Sequence, residues 1–240
     1  MSRFTIEKAF WDLFPDAEIG VVLAKRIDNT ENGRAAVRAE ILELLDQSNL
    51  AARMFLTAEV FSENPVIAVW REAYRKFKTK KGARCSIEAL LKRVEKGNEV
   101  GRINPLVDLY NAVSLQYGLP CGGEDLDKFQ GDLRLTVTTG NDPFLALGDE
   151  EFDNTLPGEV CYLDDAGAVC RCWNWRDGQR TALTENTTNA ILVIESVDPA
   201  RSEDLRAAVD TLAARTIAYL GGTAEVKVLN RSNWCQALKN

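Results

Sequence analysis

From residue 131 onward, glycine interrupts the chain at short, regular intervals: Gly131, Gly140, Gly148, Gly158, Gly167 and Gly178. Glycine marks turns, so the segments between can only be short, and their apolar content reads as strand. The spacing predicts strands over residues 132–138, 159–163, 168–175 and 190–197, with a last one over 224–229. The first hundred residues read differently. One good strand lies at 18–27, and apolar residues then recur at helical spacing over 31–47, from Asn64-Pro65 to Phe77, and over 86–94. Ser86 is a plausible cap for the last of these, and Gly97 closes it. A further helix is expected over 105–117, ending at Gly118-Leu119-Pro120, and an amphipathic one over 201–221. The expected fold class is α+β: a mixed, mostly antiparallel sheet with flanking helices. No linker divides the sequence, so a single domain over 1–240 is expected, with a mainly helical part at 1–100 and a core at 101–230.

Composition removes several kinds of chemistry. The 240 residues include no histidine, the commonest general base and metal ligand. The six cysteines form no C-x-x-C pair. Neither a metal nor a cofactor is therefore expected. There is no G-x-G-x-x-G after a strand, no P-loop and no G-x-S-x-G elbow. No apolar run is long enough to span a bilayer and no signal peptide is evident, so a cytoplasmic protein with reduced thiols is expected.

The net charge of −7 is unevenly placed. Between Arg71 and Lys96 ten Lys/Arg face three acids, leaving the segment at +7 and the remainder at −14. A basic stripe on an acidic body is the footprint of a local polyanion contact, and also of a solvated helix face. Arg75, Lys80, Lys81, Arg84 and Arg93 are its candidate nucleic-acid contacts.

Residues 170–177, Cys-Arg-Cys-Trp-Asn-Trp-Arg-Asp, alternate aromatic and hydrogen-bonding side chains. Read as a strand, the stretch puts Trp173 and Trp175 on one face, with Arg171, Asn174 and Arg176 flanking or opposing them. That combination suits a flat ring joined to phosphate or carboxylate, although one tryptophan is expected in the core. Glu195 ends the most apolar strand, which suits a general base or an amine ligand but equally a solvent-facing strand end. Asp108 and Asn111 share a helix face. Asp125 reads as a turn residue, and Cys85, after Arg84, as a structural cysteine more than a reactive one.

Val107-Asp108-Leu109-Tyr110-Asn111-Ala112-Val113, then Gly118-Leu119-Pro120 and Asp125-Leu126-Asp127-Lys128, resemble a segment of the phenylalanyl-tRNA synthetase beta subunit. Tyr162-Leu163-Asp164 and the run from Thr187 to Glu195 resemble later segments of it in the same order. The matching module is the B3/4 domain, which removes tyrosine mistakenly esterified to phenylalanine tRNA. Ser86–Arg93, Ile103-Asn104 and the tryptophan block are similar to free-standing B3/4 proteins. The resemblance puts Glu195 on the acid that recognises the misacylated amino acid, and Asp108 and Asn111 on the helix beside that pocket. It also shows departures. Gly122 stands where the family has histidine, Trp173–Asp177 replace a glycine-rich stretch, and the family's T-D-A motif has no counterpart beyond the T-x-A spacing of Thr216-Ile217-Ala218.

The resemblance implies a deacylase acting in trans on the aminoacylated end of tRNA. Glu195 and Asn111 would be catalytic. Asp108, Asn174, Arg176, Trp173, Trp175 and Arg171 would bind substrate, and the basic segment would follow the tRNA. The alternative is a tRNA- or amino-acid-binding module without chemistry.

Overall fold

A computed structural model describes residues 2–31 and 35–238. In chain order its elements are β1 (Arg3–Ile6), α1 (Lys8–Leu13), β2 (Glu18–Lys25), α2 (Ala35–Ala51), α3 (Pro65–Tyr74), α4 (Ser86–Glu95), α5 (Pro105–Tyr117), β3 (Cys121–Asp125), β4 (Leu133–Val137) and β5 (Val160–Asp164). There follow β6 (Gly167–Arg171), β7 (Arg176–Asp177), β8 (Asn189–Ser196), α6 (Ser202–Leu220), β9 (Thr223–Leu229) and β10 (Cys235–Ala237). The fold class is mixed α+β, as the glycine spacing predicts. Of the expected helix at 31–47, residues 32–34 lie outside the described residues.

The strands form two sheets where the sequence suggests one. The first has the order β10-β1-β4-β5-β6-β7 and contains one parallel pair, β1 with β4. The second, β3-β8-β2-β9, is antiparallel throughout. β2 and β8 are its centre, and their near-continuous apolar runs reflect burial on both faces. One face, carrying Val22, Ala24, Leu192 and Ile194, packs on α5 and α6. A methyl group at Gly20 would fall 2.2 Å from Val209 of α6, so glycine there permits the close helix–sheet approach. The other face, carrying Ile19, Val21, Leu23 and Ile191, meets Phe4, Leu133, Leu135, Tyr162 and Val169 of the first sheet.

Four strands, β1, β3, β7 and β10, escape the sequence reading. β1 is only four residues long, and its period-two pattern, Phe4 and Ile6 inward, is too brief to stand out. β3 reads as a turn because it contains Gly122-Gly123, yet it pairs with β8 along its whole length. Gly123 is needed there, since a Cβ would meet Leu192 at 2.6 Å. Gly118 closes α5 as read, with φ 59°, and the Asn104 side chain caps its start, accepting from Val107 N at 3.1 Å. Ser86 is not a cap as expected, because Cys85 holds that position in α4 and no side chain bonds the helix start. No helix among the described residues is long and apolar enough to cross a membrane.

Candidate functional site

The two sheets do not close completely on each other. Between them lies a cavity of about 80 Å³, lined by Tyr162, Cys170 and Asp177 from one sheet and by Gly122, Glu124 and Glu195 from the other. One water needs roughly 10–15 Å³ on this measure, so the space admits several waters or a small organic group. Ile191, Val193 and Glu195 alternate along β8 and therefore point the same way, into the cavity. Gly122 sits opposite Val193, and a Cβ added to it would touch nothing within 4 Å. The absence of a side chain at this position is thus part of what keeps the cavity open.

Glu195 is not at a solvent-facing strand end. It is 2% exposed, and three donors hold its carboxylate: Tyr162 Oη at 2.5 Å and Trp173 Nε1 at 2.8 Å on Oε1, and Asn174 Nδ2 at 2.5 Å on Oε2. No Lys or Arg of the described residues pairs with it. Burial raises its pKa to about 7, against the lowering effect of the three hydrogen bonds. A carboxyl poised near neutrality in a cavity can hold an ammonium group or accept a proton from water. Tyr74 Oη and Ser86 N approach Asn174 Oδ1 at 2.9 and 3.4 Å, which fixes the amide with its NH₂ toward Glu195.

The tryptophan block is not a strand. β6 stops at Arg171, and Cys172 and Trp173 adopt φ of 47° and 64°, a left-handed turn that leads into β7. Neither residue is glycine, so the turn costs about 1–2 kcal/mol per residue. Packing maintains it. The Trp173 ring lies 4.7–5.0 Å from Phe10, Phe14 and Trp70, its backbone N–H donates to Val160 O at 2.6 Å, and Tyr74 Oη reaches Cys172 O at 2.8 Å. Strain of this kind concentrates where a side chain must be aimed, and here it aims Trp173 and Asn174 at Glu195.

Several sequence expectations need correction. Trp173 is fully buried, so it is a wall of the core and not a stacking platform. Arg171 is 1% exposed and its guanidinium is consumed by Glu159 (2.6 Å) and Asp153 (2.9 Å), leaving nothing for a phosphate. Asp108 accepts from Ile103 N at 2.9 Å and pairs with Arg38 at 2.6 Å. Asn111 is buried on α5, and neither it nor Asp108 lines the cavity. Asp125 accepts from Asp127 N and Thr187 Oγ1, a turn role as read. Burial pushes the Cys85 thiol well up, so it is no nucleophile. Thr216 Oγ1 bonds Leu212 O within α6, away from the cavity.

Arg176 pairs with Asp149 at the surface, 2.9 Å away, beside the partly exposed Trp175 that lines the cavity. Beyond Tyr74 lies a surface groove lined by Arg71, Arg75, Arg84 and Glu88. Arg71 is neutralised by Glu88, Arg75 by Glu72 and Lys80 by Asp153. Arg93 donates to Glu99 O. Lys81 and Arg84 are exposed and form no ion pair among the described residues. The stripe therefore survives as a surface, but with fewer free charges than its composition suggests.

Sequence reasoning missed Tyr162, Ser86, Glu124 and Asp177. Ser86 Oγ is buried, lacks a partner and lines the cavity at the start of α4. Tyr162, Ser86 and Asp177 lie within segments that carry the resemblance, whereas Glu124 does not. The β3–β8 pairing brings in Glu124, the β6–β7 turn Asp177, and the start of α4 Ser86.

Gly122→Leu is expected to fill the cavity while shifting stability by no more than about 1 kcal/mol. Gly123→Leu, facing Leu192, is expected to destabilise by more. Urea denaturation of the two variants distinguishes these outcomes.

The B3/4 domain family matches residues 69–218. The phenylalanine–tRNA ligase beta subunit of Mycoplasmoides gallisepticum is 31% identical over 101 residues, which is 42% of this chain and 12% of that protein. The corresponding subunit of Mycoplasma pneumoniae is 30% identical over 93 residues, 39% of this chain and 11% of that protein. The matched part thus spans little more than a tenth of these relatives. An N-terminal fragment of the phenylalanyl-tRNA synthetase beta subunit from Pyrococcus horikoshii superposes with TM-score 0.46 at 13% identity, covering 92% of this chain and 49% of the fragment.

Proposed function

This chain belongs to the B3/4 domain family, and from that premise we propose that it is an aminoacyl-tRNA deacylase, hydrolysing the ester of mischarged tRNA. The observation that carries the reading is Glu195, a buried carboxyl with three neutral donors, no cationic partner among the described residues and an open cavity beside it. An aminoacyl ester brings an ammonium group to such a carboxyl and needs only a positioned water and help for the developing oxyanion. Glu195 holds the ammonium. Asn174 and Tyr162 are positioning residues that orient Glu195. Ser86 Oγ, an unused hydroxyl at a helix N-terminus, is placed to donate to the ester oxygen. Trp175 and Arg176, at the rim, meet the terminal nucleotide, and the Lys81–Arg84 surface meets the acceptor stem.

Incubation with a panel of charged tRNAs tests this. At least one ester is expected to be lost faster than in buffer. No acceleration for any amino acid contradicts the reading. Gly122 at the position of the family's histidine supports a second reading, a binding module without turnover. Binding of charged tRNA with no ester loss would select it.

Charge reversal at Lys81 and Arg84 is expected to weaken tRNA binding and flatten its salt dependence, the logarithmic slope falling by about one for each phosphate no longer neutralised. Filter binding between low and moderate salt reads this directly. An unchanged slope would place the tRNA elsewhere.

A further inference from the structure

Glu195 is not the only acid on the cavity wall. Glu124 of β3 is 8% exposed, and its Oε2 is buried with no hydrogen-bond partner. Asp177 enters the same cavity from β7, and no Lys or Arg of the described residues lines it. In the β3–β8 ladder Glu124 stands opposite Ile191, four residues before Glu195. At about 3.4 Å per residue, the two carboxyl-bearing positions lie about 14 Å apart along the strand. The wall between them is apolar: Leu133, Val169, Ile191 and Val193. The cavity therefore carries acid at both ends and aliphatic surface between. Among the described residues, no three His, Cys, Asp or Glu side chains converge as ligands of one metal ion.

A buried carboxylate oxygen without a partner is costly unless a ligand supplies the missing donor. We propose that the cavity takes an amino acid, free or as the aminoacyl group of tRNA, whose side chain is an aliphatic chain ending in a cation. Its α-ammonium meets Glu195, its methylenes lie along Ile191 and Val193, and its terminal ammonium or guanidinium meets Glu124 and Asp177. The proposal rests on the reading of this cavity as the amino-acid pocket, and names its ligand class. Burial, with Asp177 and Asp125 nearby, pushes the Glu124 carboxyl well up against the opposing effects of Thr181 and Arg180, so the free pocket stores protons that a dication displaces. Binding then tightens as pH rises and releases protons.

Calorimetry with lysinamide, argininamide, norleucinamide and tyrosinamide tests the preference without an ester to hydrolyse. Lysinamide or argininamide is expected to bind at least tenfold more tightly than norleucinamide, which keeps the chain and lacks the terminal charge. The apparent enthalpy is expected to vary with the buffer's ionisation enthalpy, as proton release requires. Glu124→Gln, and independently Asp177→Asn, are expected to reduce that preference while leaving norleucinamide unchanged. Equal or tighter binding of the neutral amides, no binding of any amide, or an unchanged preference in both variants overturns the proposal. The charged-tRNA panel separates it from the deacylase reading. Faster loss of esters with neutral side chains overturns the ligand class and leaves the deacylase. Cation-selective binding with no ester loss does the reverse.

Discussion

Replacing Glu195 by Gln is expected to lower ester hydrolysis at least about 100-fold, the scale of losing a positioned acid–base or electrostatic group. The substitution keeps the shape and one carbonyl acceptor for Tyr162 and Trp173, and removes the charge. The same variant carries a signature in stability that a merely structural residue would not produce. The wild-type carboxyl has a pKa of about 7 in the fold against an ordinary value of 4.5. Between those values the native state retains a proton that the unfolded chain has released. Stability is therefore highest below 4.5 and falls as pH rises toward 7, by about 3 kcal/mol for this one group. Burial raises Glu124 and Asp177 as well, so their contributions have the same sign. Glu195→Gln removes its share: relative to wild type, the variant gains about 3 kcal/mol between pH 4.5 and 8. Urea midpoints across that range read the gain. Parallel pH curves for the two proteins would mean that Glu195 is ionised throughout.

Arg171→Ala is expected to cost about 3–5 kcal/mol, because it leaves Glu159 charged, fully buried and unpaired. The guanidinium makes two bonds to Glu159, from Nε at 3.1 Å and Nη2 at 2.6 Å, and Nη1 reaches Asp153 O at 2.5 Å. Replacing both partners by apolar residues, Arg171→Met with Glu159→Leu, is expected to recover most of the loss, since the desolvation of two charges then disappears as well. Arg176→Ala, in the same block but paired at the surface, is expected to change stability by less than about 1 kcal/mol. Denaturant titration of these variants separates the two arginines. If Arg171→Ala folds as well as wild type and instead weakens tRNA binding, the burial-based assignment fails.

The two arginines illustrate what the sequence could and could not convey. Alternation in Cys-Arg-Cys-Trp-Asn-Trp-Arg-Asp predicts an extended strand with both tryptophans on one face. The observed left-handed pair at Cys172 and Trp173 carries no glycine or asparagine to announce it. It is held by contacts from α1, α3 and β5, more than a hundred residues away in the case of α1, and local propensity does not encode them. The helices α4, α5 and α6 are legible because their apolar stripes and terminal glycines are local. β3 is not, since its two glycines serve a long-range pairing with β8 and look like a turn in isolation. Glu195 stands out because it follows an unbroken apolar run. Asn111 and Asp108 follow from helical spacing and resemblance; Arg38 and the Ile103 N–H take Asp108, and neither residue lines the cavity. The basic segment is visible in composition, but the ion pairs with Glu72, Glu88 and Asp153 that reduce it depend on the fold.

The central claim is that Glu195 is an uncompensated carboxyl, poised near neutrality to receive the ligand's ammonium. Carbon-13 NMR of glutamate-labelled protein, with the Glu195 carboxyl resonance identified by its loss in Glu195→Gln, measures this directly. The free protein is expected to show that resonance titrating with a midpoint of about 7. Saturation with a non-hydrolysable aminoacyl-adenosine analogue is expected to move the midpoint down, because the ammonium stabilises the carboxylate. A midpoint near 4.5 that the analogue leaves unchanged would contradict the account.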